Sequence, residues 1–214
     1  MIIFQPDRHL LRKFVATHAK KLSGSVIDIG AGKKRYAHLF SHCEKYQTLD
    51  VDPETNPDIA APIENIPLED VSVDGIVCTQ VLGDVWDVQK AIDEMLRVLK
   101  PGGMILITES LLNEEHDEPN DYWRFTEFTW KKLLEGKCAI EVIEKRGGFF
   151  AQSAQQRIRY RIEKHGLYKR KILGRIAHIW AYLLGTWALK RDDWDRSAAN
   201  KKFPLGYCIL ARKK

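Results

Sequence analysis

Cysteine is sparse and unpatterned. The four thiols, Cys43, Cys78, Cys138 and Cys208, show neither metal-ligand spacing nor a disulfide framework. That predicts a reducing compartment and no bound metal. Three of them fall in strand-like apolar runs, where a thiol behaves as a small buried group. The N-terminal Met1–Pro6 has no basic stretch followed by an apolar core, which predicts no signal peptide. A P-loop pattern is missing, and Arg35 stands where a dinucleotide fingerprint needs its third glycine. Acid is almost lacking from one segment: between Arg157 and Arg175, eight Lys or Arg face Glu163 alone. That is a local +7 in a chain of net charge +5, so the remainder is slightly acidic.

What is present is enough for a core. A hydrophobic fraction of 44% over 214 residues excludes global disorder and suits one domain with an appendage. The chain is organised around Val26-Ile27-Asp28-Ile29-Gly30-Ala31-Gly32-Lys33-Lys34-Arg35-Tyr36. An apolar run ends in an acid and two glycines, as when the first strand of an open α/β sheet hands over to its first helix. Gly30 permits a sharp turn, and Gly32 permits a ligand to approach the main chain. The amides of the next helix are expected to point into the crevice at the carboxyl ends of the strands.

Around this loop the chain reads as alternating elements. A helix is expected from Asp7 to Lys21, capped by Asp7, with His18 at its boundary. A short helix carrying Tyr36, Leu39 and Phe40 follows the loop. Tyr46–Asp50 reads as the second strand, and its terminal carboxylate suits the two ribose hydroxyls of an adenosine, with Asp52 as the alternate. Asp58–Ala60 is a short strand and Val73–Thr79 a buried one. Trp86–Leu99 is an amphipathic helix, stopped by Lys100-Pro101-Gly102-Gly103 before the strand Met104–Thr108. Thr126 and Glu127 open a helix to Leu134, and Ala139–Ile143 is the sixth strand. The last strand is Leu205–Ala211.

Asp28-Ile29-Gly30-Ala31-Gly32-Lys33-Lys34, Leu49-Asp50-Val51-Asp52-Pro53, Cys78-Thr79-Gln80-Val81-Leu82 and Arg97-Val98-Leu99-Lys100-Pro101-Gly102-Gly103 together resemble class I methyltransferases that use S-adenosylmethionine (SAM). The closer resemblance is to the type 11 branch, over roughly residues 23 to 150. It implies a Rossmann-like fold: a seven-stranded, mostly parallel sheet with an antiparallel last strand. It also implies SAM as cofactor. Asp28 would orient the loop and the cofactor amine, Gly30 and Gly32 would pass its methionine part, and Asp50 with Val51 would take the ribose side. Ile63 would flank adenine, although Pro62 stands where the family often has an acid. Gln80 would sit near the methionine moiety. The branch usually has Leu-Glu-His-Val where this chain has Leu82-Gly83-Asp84-Val85, so Asp84 replaces a histidine. A polar and aromatic segment, His116–Thr126, lies over the crevice as a lid, and the branch carries a His, an Asp-Tyr pair and an Arg-aromatic-Thr string there. His116 and Asp84 are the candidate bases for a hydroxyl acceptor.

The expected organisation is a SAM-binding core over 1–150, a helical insertion over 151–203, and the final strand over 204–214. The insertion opens with the basic, helix-prone Gln152–Lys171. It continues with Ile172–Leu189, eighteen mostly apolar residues in which only Arg175 and His178 are ionisable. That run reads first as a helix packed on the body or on a second copy in a homodimer. The second reading is peripheral membrane contact through 157–189, and the third a membrane span. A charge run is usually a solvated face, so nucleic acid is not favoured as partner. The function expected is SAM-dependent methyl transfer, O-methylation in the first place, to a small-molecule or glycan-type acceptor, in the cytoplasm or peripherally at a membrane. The alternative is a SAM-binding or interaction protein with a degenerate acceptor site. A weaker third option is a nucleotide-sugar or NAD-binding enzyme.

Overall fold

Val26, Ile27 and Ile29 are almost wholly buried, and they form the first strand of a sheet covered on both faces. The computed structural model describes residues 3–214; Met1 and Ile2, the start of the segment read as lacking a signal peptide, lie outside it. In chain order the elements are α1 (Pro6–His18), β1 (Ser25–Ile29), β2 (Lys45–Asp50), β3 (Ile59–Ala60), β4 (Val73–Thr79), α2 (Val88–Val98), β5 (Leu99–Ser110), α3 (Glu127–Leu133), β6 (Cys138–Arg146), α4 (Phe149–His165), α5 (Lys171–Trp194) and β7 (Gly206–Lys213).

The strands join in one seven-stranded sheet of order β3-β2-β1-β4-β5-β7-β6. Pairing from β3 through β5 is parallel, with Ile29 opposite Leu49 on one side and Cys78 on the other. The last strand is antiparallel, as expected: Leu205 N donates to Arg146 O and Lys214 N to Lys137 O, a register in which one strand ascends as the other descends. Cys78, Cys138 and Cys208 are buried in β4, β6 and β7. This sheet belongs to a compact unit of residues 14–110, 115–144 and 207–214. Its strand order reverses at β1, so a crevice opens beyond the carboxyl ends of β1 and β4.

A second unit comprises residues to Lys13, 111–114 and 145–206. It holds α4 and α5. Its core is Ile3, Ile158, Ile162, Leu167 and Ala181, joined by Phe4, Ala177, Trp180 and Leu184. Helix α4 ends at Gly166, whose positive φ of 55° makes the left-handed cap. Asp192 of α5 accepts amide hydrogens from Gly148, Phe150 and Ala151 and so caps the start of α4.

Three local expectations are corrected. Helix α1 starts at Pro6, which fits the first helical position, and Asp7 is no cap. Its carboxylate pairs instead with the fully buried guanidinium of Arg146 at 3.0 Å. The helix expected between β1 and β2 is only a 3₁₀ turn, Ala37–Phe40. Lys34 has a φ of 52°, a left-handed conformation that no α-helix continues through. Helix α2 begins at Val88 because Asp87 caps it through the amide of Lys90, and β5 follows at once from Leu99.

Candidate functional site

The two glycines of the loop do different work. Gly30 has a φ of 65°, donates its amide hydrogen to Leu49 O at 2.8 Å, and lies so close to Val81 that a Cβ would sit 2.2 Å from its Cγ2. A side chain there is excluded by packing between β1 and the end of β4. Gly32 has a φ of 49°, yet a Cβ on it would meet nothing within 4 Å. Its amide donates to Asp50 Oδ2 at 2.8 Å. Gly30 is therefore a structural requirement, and Gly32 borders open space. With a 3₁₀ turn following, the donors in this loop are individual amides rather than a helix terminus.

Two carboxylates flank the loop. Asp28 in β1 is buried, and the Tyr46 hydroxyl donates to its Oδ2 at 2.5 Å. Its Oδ1 is also buried and makes no hydrogen bond among the described residues. This carboxyl is pushed up to about 7, chiefly by burial, with the Tyr46 bond pulling it down and the charge of Asp50 adding to the rise. The same surroundings push the Tyr46 hydroxyl up. Asp50 ends β2 and accepts from Gly32 at Oδ2 and from Asp52 N at Oδ1. Each carboxylate oxygen keeps a further lone pair. Asp52, the alternate, is committed locally, since its side chain caps the turn Pro53–Thr55 through Glu54 N. Val51 is 72% exposed beside Asp50, and Ile63 is buried.

Gln80 leaves β4 with a φ of 57°, a strained conformation for a residue with a side chain. It is held by its own bonds. Its amide donates to Thr108 O, its Nε2 to Thr108 Oγ1 at 3.4 Å, and Ser110 Oγ donates to its Oε1 at 2.6 Å. The next two amides, Val81 and Leu82, both donate to Glu109 Oε1 at 2.7 Å. A buried glutamate at the end of β5 thus shapes the floor of the crevice. Tyr46 and Glu109 carry much of this geometry, and neither was singled out from the sequence. The acid at the tip of β5 could have been suspected by analogy with Asp50.

Beyond the end of β4 the lid meets the turn Leu82–Asp84. Tyr122 N and Trp123 N both donate to Gly83 O. That brings Asp84, His116 and Asp121 together, with one ligand-capable atom from each within 4.8 Å of the others. The Asp121 carboxylate takes both Arg124 nitrogens, at 2.5 and 2.7 Å, and the His116 amide at 3.0 Å. The Arg124 fork holds Asp121 down at about 2. The His116 ring lies with Nδ1 3.2 Å from Asp121 Oδ2, but off line for a hydrogen bond. Asp84 is half-buried; burial raises its carboxyl, the His116 charge opposes this, and its Oδ1 makes no hydrogen bond among the described residues. The geometry could hold a cation, although Arg124 already supplies a positive partner. Of the lid aromatics, Phe125 packs inward on Trp130 at 4.8 Å. Tyr122 and Trp123 do not. They remain exposed against Trp86, at 5.3 and 5.8 Å.

Comparison with known proteins agrees with this arrangement. A family model described as a methyltransferase domain, type 11, matches residues 27–107. Human thiol S-methyltransferase TMT1B is 37% identical over 86 residues, 37% of this chain and 33% of that protein. The chain thus spans about a third of the length of the curated relatives it matches. Among solved structures, the [4+2]-cyclase SpnF superposes with a TM-score of 0.58 at 21% identity, over 97% of this chain and 80% of that one. The N-methyltransferase NodS of Bradyrhizobium japonicum, in complex with S-adenosyl-L-homocysteine, gives 0.54 at 15% identity, over 96% and 85%. At such identities these two structures speak for the fold alone. Over residues 27–107 the chain is similar to the type 11 methyltransferase domain, and that similarity supports SAM as the cofactor.

Proposed function

We propose that this chain transfers the SAM methyl group to a hydroxyl of a small-molecule or glycan-type acceptor. The residues of the crevice fit the cofactor in three places. The Asp28 Oδ1 acceptor is buried and unbonded, and suits the ammonium of the methionine part. The space a Cβ on Gly32 would fill is open. Asp50 retains lone pairs for the ribose hydroxyls beside the exposed Val51. When bound, SAM supplies an electrophilic methyl on a sulfonium, a good leaving group. The protein then has to align the acceptor, exclude water and take a proton.

The observation that carries the reading is the cluster of His116, Asp84 and Asp121. A hydroxyl loses its proton as its oxygen attacks, and a placed base accelerates that step. In this reading the His116 ring takes the proton. Asp121, anchored by Arg124, lies 3.2 Å from Nδ1 and stabilises the imidazolium by its charge. Asp84 replaces the histidine usual in the branch as the second polar contact to the acceptor. Gln80, tied to Thr108 and Ser110, borders the transferring end of the cofactor.

A thiol acceptor is the second reading, favoured by the similarity to a thiol S-methyltransferase. The test is transfer from methyl-labelled SAM to paired hydroxyl and thiol acceptors, after binding of SAM and S-adenosylhomocysteine has been measured by titration. Labelled ether products from wild type, lost in His116→Ala, support O-methylation. Thioether products alone would replace it with the second reading, and cofactor binding without any product would favour a non-catalytic SAM-binding protein.

A further inference from the structure

Helix α5 is built inside out for a helix in water. The face it buries is made of Gly174, Ala181, Gly185 and Ala188, and a Cβ on Gly185 would lie 2.5 Å from the Phe4 ring. Its bulky apolar residues point the other way. Ile172, Ile176, Ile179, Leu183, Trp187 and Trp194 recur at helical spacing, and each is more than half exposed. A contiguous apolar face of that kind marks a docking surface rather than ordinary solvent contact.

Cations surround the face. Lys169, Arg170 and Lys171 precede it, Arg175 flanks its first turns, and Lys190 and Arg191 lie near its end. Beside it runs a groove of about 390 Å³, walled by Leu173, Ile176 and Trp180 and rimmed by Arg161, His165 and Arg170. The Arg161 guanidinium lies 4.3 Å above the Trp180 ring. Bulky aliphatics flanked by Trp and a cationic rim match the chemistry of an acyl boundary under anionic headgroups.

We propose that α5 docks this protein on an anionic lipid surface, lying in the plane of the membrane with Ile176, Ile179, Leu183 and Trp187 in the acyl boundary. The helix has the length and hydropathy to cross a bilayer. Crossing would carry Arg175 and His178 into hydrocarbon and pull Asp192 from the α4 amides it caps. A second copy would meet this face with the same cationic rim, a like-charge arrangement that costs association, whereas anionic lipid neutralises it. Nucleic acid would answer the cations but leave the isoleucines in water. The proposal is independent of the acceptor and of methyl transfer.

The test is flotation of the full chain with phosphatidylcholine vesicles, with and without phosphatidylglycerol. The variants are the pair Ile176→Glu with Leu183→Glu and the pair Arg170→Glu with Arg175→Glu. All four positions are exposed, and circular dichroism checks folding. Wild type should float with the anionic vesicles, and each pair should lower its partition coefficient by about tenfold or more. Four results would overturn the proposal. The first is wild type free of both vesicles. The second is a dimer that Ile176→Glu with Leu183→Glu splits while lipid is ignored. The third is displacement of the protein from lipid by RNA without regard to the apolar pair. Resistance to alkaline extraction from cell membranes would show a span.

Discussion

Asp50 Oδ2 accepts the amide hydrogen of Gly32 at 2.8 Å, which ties the acid at the tip of β2 to the glycine that borders the crevice. One carboxylate therefore shapes the loop and, in the proposed reading, also takes the ribose hydroxyls. The two roles separate by substitution. Asp50→Ala should weaken SAM and S-adenosylhomocysteine by more than about tenfold, roughly 1.4 kcal/mol, in a calorimetric titration. Asp50→Asn keeps an oxygen for Gly32 and should lose less. Unchanged affinity in both would mean that Asp50 serves the loop alone.

Gly30 and Gly32 should respond to alanine in opposite ways. Gly30→Ala forces a Cβ into Val81 and should cost more than about 2 kcal/mol in urea unfolding. Gly32→Ala meets open space and should cost about 1 kcal/mol, from its positive φ. Cofactor titration should show the reverse emphasis, with Gly32→Ala folded but weakened in binding. Equal stability losses would contradict this division.

Asp28 makes stability depend on pH. Its carboxyl stands at about 7 in the fold against an ordinary 3.8, so between those values the folded chain holds a proton that the unfolded chain has released. Stability from this group is thus present at low pH and lost as pH rises through about 7. Asp28→Asn should remove that slope and be the more stable protein at about pH 8, by a few kcal/mol. An ammonium brought to Oδ1 favours the carboxylate. Cofactor binding near neutral pH should then release a proton, seen as a buffer-dependent enthalpy that vanishes in Asp28→Asn.

His116→Ala should separate hydroxyl from thiol acceptors. Hydroxyl methylation should fall by about 10²–10⁴-fold in kcat, while cofactor affinity stays put. A thiol is already partly ionised near neutral pH and should lose far less. Equal losses on both acceptors would assign His116 to acceptor positioning instead of proton transfer.

In the helical unit, Asp7→Ala should cost about 3–5 kcal/mol, because it strips the carboxylate from the fully buried Arg146 guanidinium. Thermal unfolding checks this. A loss below about 1 kcal/mol would show that other contacts carry the arginine.

By itself the sequence determined the succession of strands, the Asp28-Gly30-Gly32 loop, the acid at the tip of β2, the amphipathic helix α2 and the Thr126-capped helix α3. Those features rest on alternation, helical spacing and turn chemistry among near neighbours, all visible along the chain. Tertiary structure decided the rest. That Gly30 is packed against Val81 while Gly32 stands open depends on a contact fifty residues away. That Asp7 leaves its helix terminus for Arg146 depends on packing across most of the chain. The meeting of Asp84, His116 and Asp121 depends on the lid amides of Tyr122 and Trp123 finding Gly83 O. The apolar run of α5 was plain in the sequence, but its direction was not. Only packing puts its small residues inward, where the close approach of Phe4 at Gly185 leaves room for no larger side chain, and turns its isoleucines and tryptophans out.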